Sequence, residues 1–209
     1  MTIKTQRLLA RAKKIAKKGD IEEARRLYTE ILEASPNNKE AKNGLLALEQ
    51  GKDQLSPPKE EIQSVFALYS GGQIQEALDS VETLIKDYPK EPLLYNISGV
   101  CYKAVGQLDA AVKSFERALA IKPDYTEVNY NLGLTFQDLG QLNAAVKCYE
   151  DALVVNPEHA EAHNNLGVTL KELGQLDDAI KSYEKALAIN PEYAVARNNL
   201  DIALEELSS

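Results

Sequence analysis

The sequence predicts an all-α fold assembled from repeated helix–turn–helix units, and three observations predict it. Glycines recur every 34 residues at Gly72, Gly106, Gly140 and Gly174, and prolines keep the same period at Pro89, Pro123, Pro157 and Pro191. Residues 126–159 laid over 160–193 agree at 18 of 34 positions, including Leu-Gly-Gln-Leu at 139–142 and 173–176. Within a unit, apolar residues follow a helical rather than a strand period: Val128, Leu132, Phe136 and Leu139 step by four, four and three. A fixed period of this length is the mark of a repeat array.

In chain order, the units run 5–38, 58–91, 92–125, 126–159 and 160–193, with half a unit at 194–207. Gly19 and Pro36 stand 53 residues before Gly72 and Pro89, so 19 residues, 39–57, are inserted after the first unit. Lys39 to Gln50 predicts one more helix. Gly51, Pro57 and Pro58 predict a linker, dividing the chain into 1–50, a linker over 51–57, and an array over 58–209. In each unit glycine closes the first helix, because it takes the left-handed conformation at little cost. The second helix, lined in one unit by Leu142, Ala145, Val146, Tyr149, Ala152 and Leu153, ends before proline, which cannot continue it. The last half-unit predicts a capping helix showing Asp201, Glu205 and Glu206 to solvent.

With 24 Lys or Arg against 32 Asp or Glu, the formal charge is −8, which excludes a generally basic nucleic-acid binder. No apolar run approaches the roughly 20 residues of a membrane span. Nor does the N-terminus show a secretory signal, so a cytoplasmic location is expected. Cys101 and Cys148 make no disulfide framework and are expected to be reduced. Charge is uneven: residues 1–52 hold 12 Lys or Arg and 7 Asp or Glu, net +5. A basic N-terminal helix of this kind is a candidate for binding an anionic surface.

No nucleophile with a base, paired carboxylates or metal cluster stands out, so neither catalytic residues nor a cofactor are expected. His159 and His163 are four apart, a spacing that can chelate on one helix. One falls in the turn after Pro157 and the other at a packing position, so no metal is expected.

A second stripe follows unit positions 2, 6, 9 and 13 of the first helices, off the core stripe. It reads Glu127, Asn131, Leu134, Asp138, then Glu161, Asn165, Val168, Glu172, then Val195, Asn199, Ile202, Glu206; Val100 holds position 9 in unit 92–125. Asn131, Asn165 and Asn199 are amides that donate and accept, so they are expected to pair with the backbone of an extended peptide and to matter little for stability. Val100, Leu134, Val168 and Ile202 offer apolar contact. Glu127, Asp138, Glu161, Glu172 and Glu206 favour a basic ligand. Lys4 to Lys18 makes weak self-association one possibility.

The unit resembles the tetratricopeptide repeat, through Leu132, Gly133, Phe136, Ala145, Tyr149, Ala152 and Pro157, through Leu166, Gly167, Leu170, Ala179, Tyr183, Ala186 and Pro191, and through Gly99, Tyr102, Ala111, Phe115, Ala118 and Pro123. It departs from that pattern where Trp is typical, at Tyr95, Asn129 and His163, and it has Val65 where a small residue is expected. The resemblance implies a right-handed superhelical solenoid, a concave groove lined by the first helices, and a non-catalytic protein-interaction scaffold. The asparagine row resembles the ladder in the repeat region of O-GlcNAc transferases, so the repeat segment of a larger glycosyl- or sulfotransferase is the alternative. The carboxylate-clamp type of repeat domain needs groove cations where this chain has Asn96, Val100, Asn131, Glu161 and Asn165.

Overall fold

The structure is a computed structural model that describes residues 3–17, 20–52 and 57–208; these form twelve α-helices and no strand. The chain divides into two compact units, residues 1–57 with 87–90, and residues 58–86 with 91–209.

The first unit holds α1 (Ile3–Lys17), α2 (Ile21–Ala34) and α3 (Lys39–Lys52). Asp20 starts α2 by accepting from the Glu23 N–H at 3.2 Å, and Asn38 does the same for α3 with Ala41 at 3.0 Å. Leu9, Ala12, Ala24, Leu27, Tyr28, Ile31, Ala41 and Leu48 form the core between them. The Tyr28 ring lies where a side chain on Gly44 would be, so α3 packs on α2 through a glycine. The helix expected over Lys39–Gln50 is present and runs two residues further, through Gly51 and Lys52. Of the linker expected over 51–57, residues 53–56 lie outside the described residues. Part of the basic charge of α1 is compensated locally, Lys13 by Glu40 at 2.6 Å and Arg11 by Glu23 at 3.5 Å.

The second unit holds α4 (Lys59–Ser70), α5 (Ile74–Asp87), α6 (Pro92–Ala104), α7 (Leu108–Ile121), α8 (Thr126–Asp138), α9 (Leu142–Val155), α10 (Ala160–Glu172), α11 (Leu176–Ile189) and α12 (Ala194–Leu207). The periodic glycines do what the sequence asks of them: Gly72, Gly106, Gly140 and Gly174 have φ between +71° and +78°. Each turn closes with a hydrogen bond from the next residue back five positions, such as Gln141 N–H to Phe136 O at 2.8 Å and Gln175 N–H to Leu170 O at 2.9 Å.

First and second helices of a repeat meet ring against glycine. A Cβ added at Gly99, Gly133 or Gly167 would stand 2.5, 2.7 or 2.6 Å from the ring of Phe115, Tyr149 or Tyr183 respectively. Glycine is required there for close approach. In repeat 58–91 the same two positions hold Val65 and Val81, both buried. Two medium side chains thus replace the pairing of none with a large one, which is why Val65 is tolerated where glycine is the rule.

Helix α12 packs against no second helix of its own unit among the described residues. At the positions that elsewhere face a second helix it carries Arg197, Asp201 and Leu204, all exposed. Arg197 donates to Pro191 O at 2.7 Å, tying α12 to the preceding turn.

Candidate functional site

The stripe falls on α6, α8, α10 and α12, where each helix presents it beside the same stripe of the next. Val100, Leu134 and Val168 are half-buried and lean into the core clusters, while Ile202 is exposed. Glu127, Asp138, Glu161, Glu172 and Glu206 are all exposed.

The asparagines have partners inside the chain. Asn131 Nδ2 donates to Asn96 Oδ1 at 3.1 Å, Asn165 Nδ2 to Tyr130 OH at 3.0 Å, and Asn199 Nδ2 to Asn164 Oδ1 at 2.9 Å. Each bond spans 35 residues, from position 6 of one first helix to position 5 of the helix before it. The expectation that these amides matter little for folding did not include these bonds, which tie successive repeats together. Asn96 and Asn164 are buried, and a buried carbonyl oxygen stripped of its donor is costly. Sequence reasoning missed the position 5 residues because they lie on neither stripe; the signal was the recurring amide at Asn96, Asn164 and Asn198. Further bonds, Asn96 Nδ2 to Glu127 Oε1 at 3.3 Å and Asn164 Nδ2 to Asn165 Oδ1 at 3.1 Å, join carboxylate and amides into a network. The Asn131 and Asn199 carbonyl oxygens receive no donor among the described residues.

The Asn199→Ala variant should lose about 1–2 kcal/mol of stability in urea denaturation, more than the roughly 0.5 kcal/mol of an ordinary surface change. An unchanged midpoint would show that the bond to Asn164 contributes nothing.

The acidic stripe is not uniform either. Lys103 pairs with Asp138 at 3.0 Å and Lys171 with Glu206 at 2.6 Å, each lysine at position 12 meeting the acid at position 13 of the next repeat. Between them position 12 is Gln137, which accepts instead from Tyr149 OH at 2.9 Å. Glu172 consequently has no ion-pair partner among the described residues. Where lysine returns at position 12, the buried Tyr183 hydroxyl has no hydrogen-bond partner among the described residues. Two of the five acids are thus paired with lysine, while Glu127, Glu161 and Glu172 have no lysine or arginine partner among the described residues.

The two histidines have separate commitments. His159 stacks on Tyr130 with ring centroids 4.9 Å apart, and its Nδ1 lies 3.1 Å from Glu161 Oε2. His163 is buried with Nε2 at 2.9 Å from Pro157 O. Among the described residues no cluster of three or more His, Cys, Asp or Glu could hold a metal ion. Both cysteines are free and buried, and burial pushes the Cys148 thiol up to about 11, so little of it is thiolate at neutral pH. No helix among the described residues is long and apolar enough to cross a membrane.

No curated protein matches the sequence. Residues 130–194 match the tetratricopeptide repeat family, and residues 99–140 match the TPR repeat. Among solved structures the chain is similar to MamA, at 25% identity and TM-score 0.59, covering 93% of this chain and 98% of that one. It is similar to YrrB, described as a TPR protein with an unusual peptide-binding site, at 20% identity and TM-score 0.58, covering 91% of this chain and 89% of that one. It is also similar to the first TPR of Spaghetti bound to the HSP90 peptide SRMEEVD, at 23% identity and TM-score 0.55, covering 56% of this chain and 94% of that one. Residues 99–194 thus match tetratricopeptide repeat models, and the chain has the all-helical solenoid fold of these neighbours.

Proposed function

We propose that this chain is an interaction scaffold without activity of its own, and that it takes an extended, basic peptide along the groove lined by α6, α8, α10 and α12. The observation behind this reading is the amide network itself. It holds polar side chains at one-repeat intervals along an exposed face, with the Asn131 and Asn199 oxygens open to a backbone N–H and the carboxylates of Glu127, Glu161 and Glu172 beside them. Such an arrangement grips the main chain of a ligand and leaves its side chains to select by charge. Peptide binding by YrrB and by the Spaghetti domain supports the use of this fold for the purpose. The HSP90 peptide of the latter is acidic, whereas the present groove offers acids, so the ligand here should have the opposite sign.

Binding of basic and acidic peptides of equal length, at two salt concentrations, tests this. The basic peptide should bind more tightly and weaken with salt. In the double variant Glu161→Lys with Glu172→Lys, both sites being exposed, the fold should be unchanged and basic-peptide affinity should fall about tenfold or more. Preference for the acidic peptide, or indifference to both salt and the double variant, would remove the charge selection; no binding of either peptide would remove the groove.

A further inference from the structure

The first unit carries a row of cations along one side of α1. Lys4, Arg7, Arg11 and Lys14 step by three, four and three, and all four are exposed. At roughly 100° per residue they fall within about 80° of the helix circumference and span about 15 Å of its length. Leu9 and Ala12, on a different side of the same helix, lie in the core with α2 and α3.

The lysine that is neutralised lies off this row. Glu40 holds Lys13 at 2.6 Å, whereas Lys4, Arg7 and Lys14 have no ion-pair partner among the described residues. Arg11 reaches Glu23 at 3.5 Å, but that carboxylate is already gripped by two nitrogens of Arg26 at 2.7 and 2.8 Å. The Arg11 side chain stays 62% exposed. The row therefore keeps nearly all of its charge for something outside the unit.

Its neighbours say what kind of surface it suits. Leu8 and Ile15 are half-buried, pack against the core of the unit, and border the row on that side. Cations set beside apolar side chains at the water line of a helix fit the boundary of a bilayer, where headgroup charge and acyl chain are met together. A nucleic acid offers phosphates without the apolar part, and α1 has no aromatic side chain on which bases could stack. Beyond this block the composition opposes any anionic surface, since residues 53–209 hold 12 Lys or Arg against 25 Asp or Glu.

We propose that the cationic row of α1 docks the protein on an anionic phospholipid bilayer. Lys4, Arg7, Arg11 and Lys14 lie against headgroup phosphates and carboxylates, with Leu8 and Ile15 at the edge of the contact and Leu9 and Ala12 still in their core. The attachment is peripheral and electrostatic, as no helix among the described residues is long and apolar enough to cross a membrane. Each cation brought to such a surface raises the bound fraction about fivefold. The row shares no residue with the groove, so either reading can fail without the other.

Co-sedimentation of the full chain with phosphatidylcholine vesicles, either plain or containing about one third phosphatidylserine, is the test. Binding should require the phosphatidylserine and be lost between about 0.1 and 1 M salt. Lys4→Glu combined with Arg7→Glu and Lys14→Glu should lower it at least about a hundredfold. All three positions are exposed, so the helical circular dichroism should match the parent. If that variant fails to fold, Arg7→Ala with Lys14→Ala decides, and should weaken binding at least about tenfold. Lys13→Gln with Glu40→Gln removes the pair that lies off the row and should change nothing. Equal binding to plain vesicles, unchanged affinity in the row variants, an equal loss in the Lys13 and Glu40 variant, or tighter binding of a DNA duplex than of vesicles would overturn the assignment. So would self-association that depends on the row without vesicle binding, which would give the row to a second copy of the chain.

Discussion

The Gly167→Leu protein should lose about 3 kcal/mol of stability, a fall in melting temperature of roughly 6–12 °C for a chain of this size. Even the first carbon of a new side chain would stand 2.6 Å from the Tyr183 ring. The ring has nowhere to retreat, because Tyr183 is fully buried in the cluster with Ala179, Ala203 and Leu166. Either α10 moves off α11 or the ring leaves its rotamer, and both disturb the contacts that α11 makes with α12. Repeat 58–91 offers the remedy: at the same two positions it holds Val65 and Val81, both buried. Gly167→Val combined with Tyr183→Val should therefore be more stable than the sum of the two single changes, measured as a double-mutant cycle. Additivity within about 0.3 kcal/mol would mean that the two positions do not share one space.

Tyr149→Ala should cost about 3–5 kcal/mol, since it opens a cavity over Gly133 and leaves Gln137 without the hydroxyl it accepts from. The contributions of ring and hydroxyl separate cleanly because the chain contains a control. Tyr149→Phe removes a satisfied hydroxyl and should destabilise by about 1 kcal/mol, whereas Tyr183→Phe removes one that has no partner and should be neutral or stabilising. Phe115, at the same position of repeat 92–125 and opposite Lys103 rather than a glutamine, is the natural precedent. Calorimetric melting of the two phenylalanine variants is the measurement; an equal loss in both would mean that the hydrogen bond to Gln137 has no weight.

Much of the array is legible in the sequence because its determinants are local and recur. A glycine at positive φ, a proline past a helix end and apolar residues on one helix face each have a meaning that does not depend on where the rest of the chain goes. The relations between repeats were harder to read. Asn131, Asn165 and Asn199 lie off the core stripe and so resemble a free binding row, yet their partners are one repeat and one residue away. Lys103 and Lys171 sit beside the acidic stripe rather than on it, and only the offset of one first helix against the next brings each to the acid of its neighbour. For the amides and the ion pairs the deciding quantity is the stagger between helices, which a repeat period does not encode.

That stagger makes each repeat answerable to the one after it. Position 12 chooses between two claims: as Lys171 it serves the next repeat's carboxylate while the Tyr183 hydroxyl has no partner among the described residues, and as Gln137 it does the reverse. Removing residues 126–159 as a whole would set Lys103 before Glu172 and Asn96 before Asn165, both combinations already present at other junctions. The array is thus a chain of interchangeable joints, in which loss or gain of one period rewrites the pattern of free charge along the groove while every joint remains of a kind the protein already uses. Duplication, in such a molecule, is a way of varying the charge of one face without inventing a new fold.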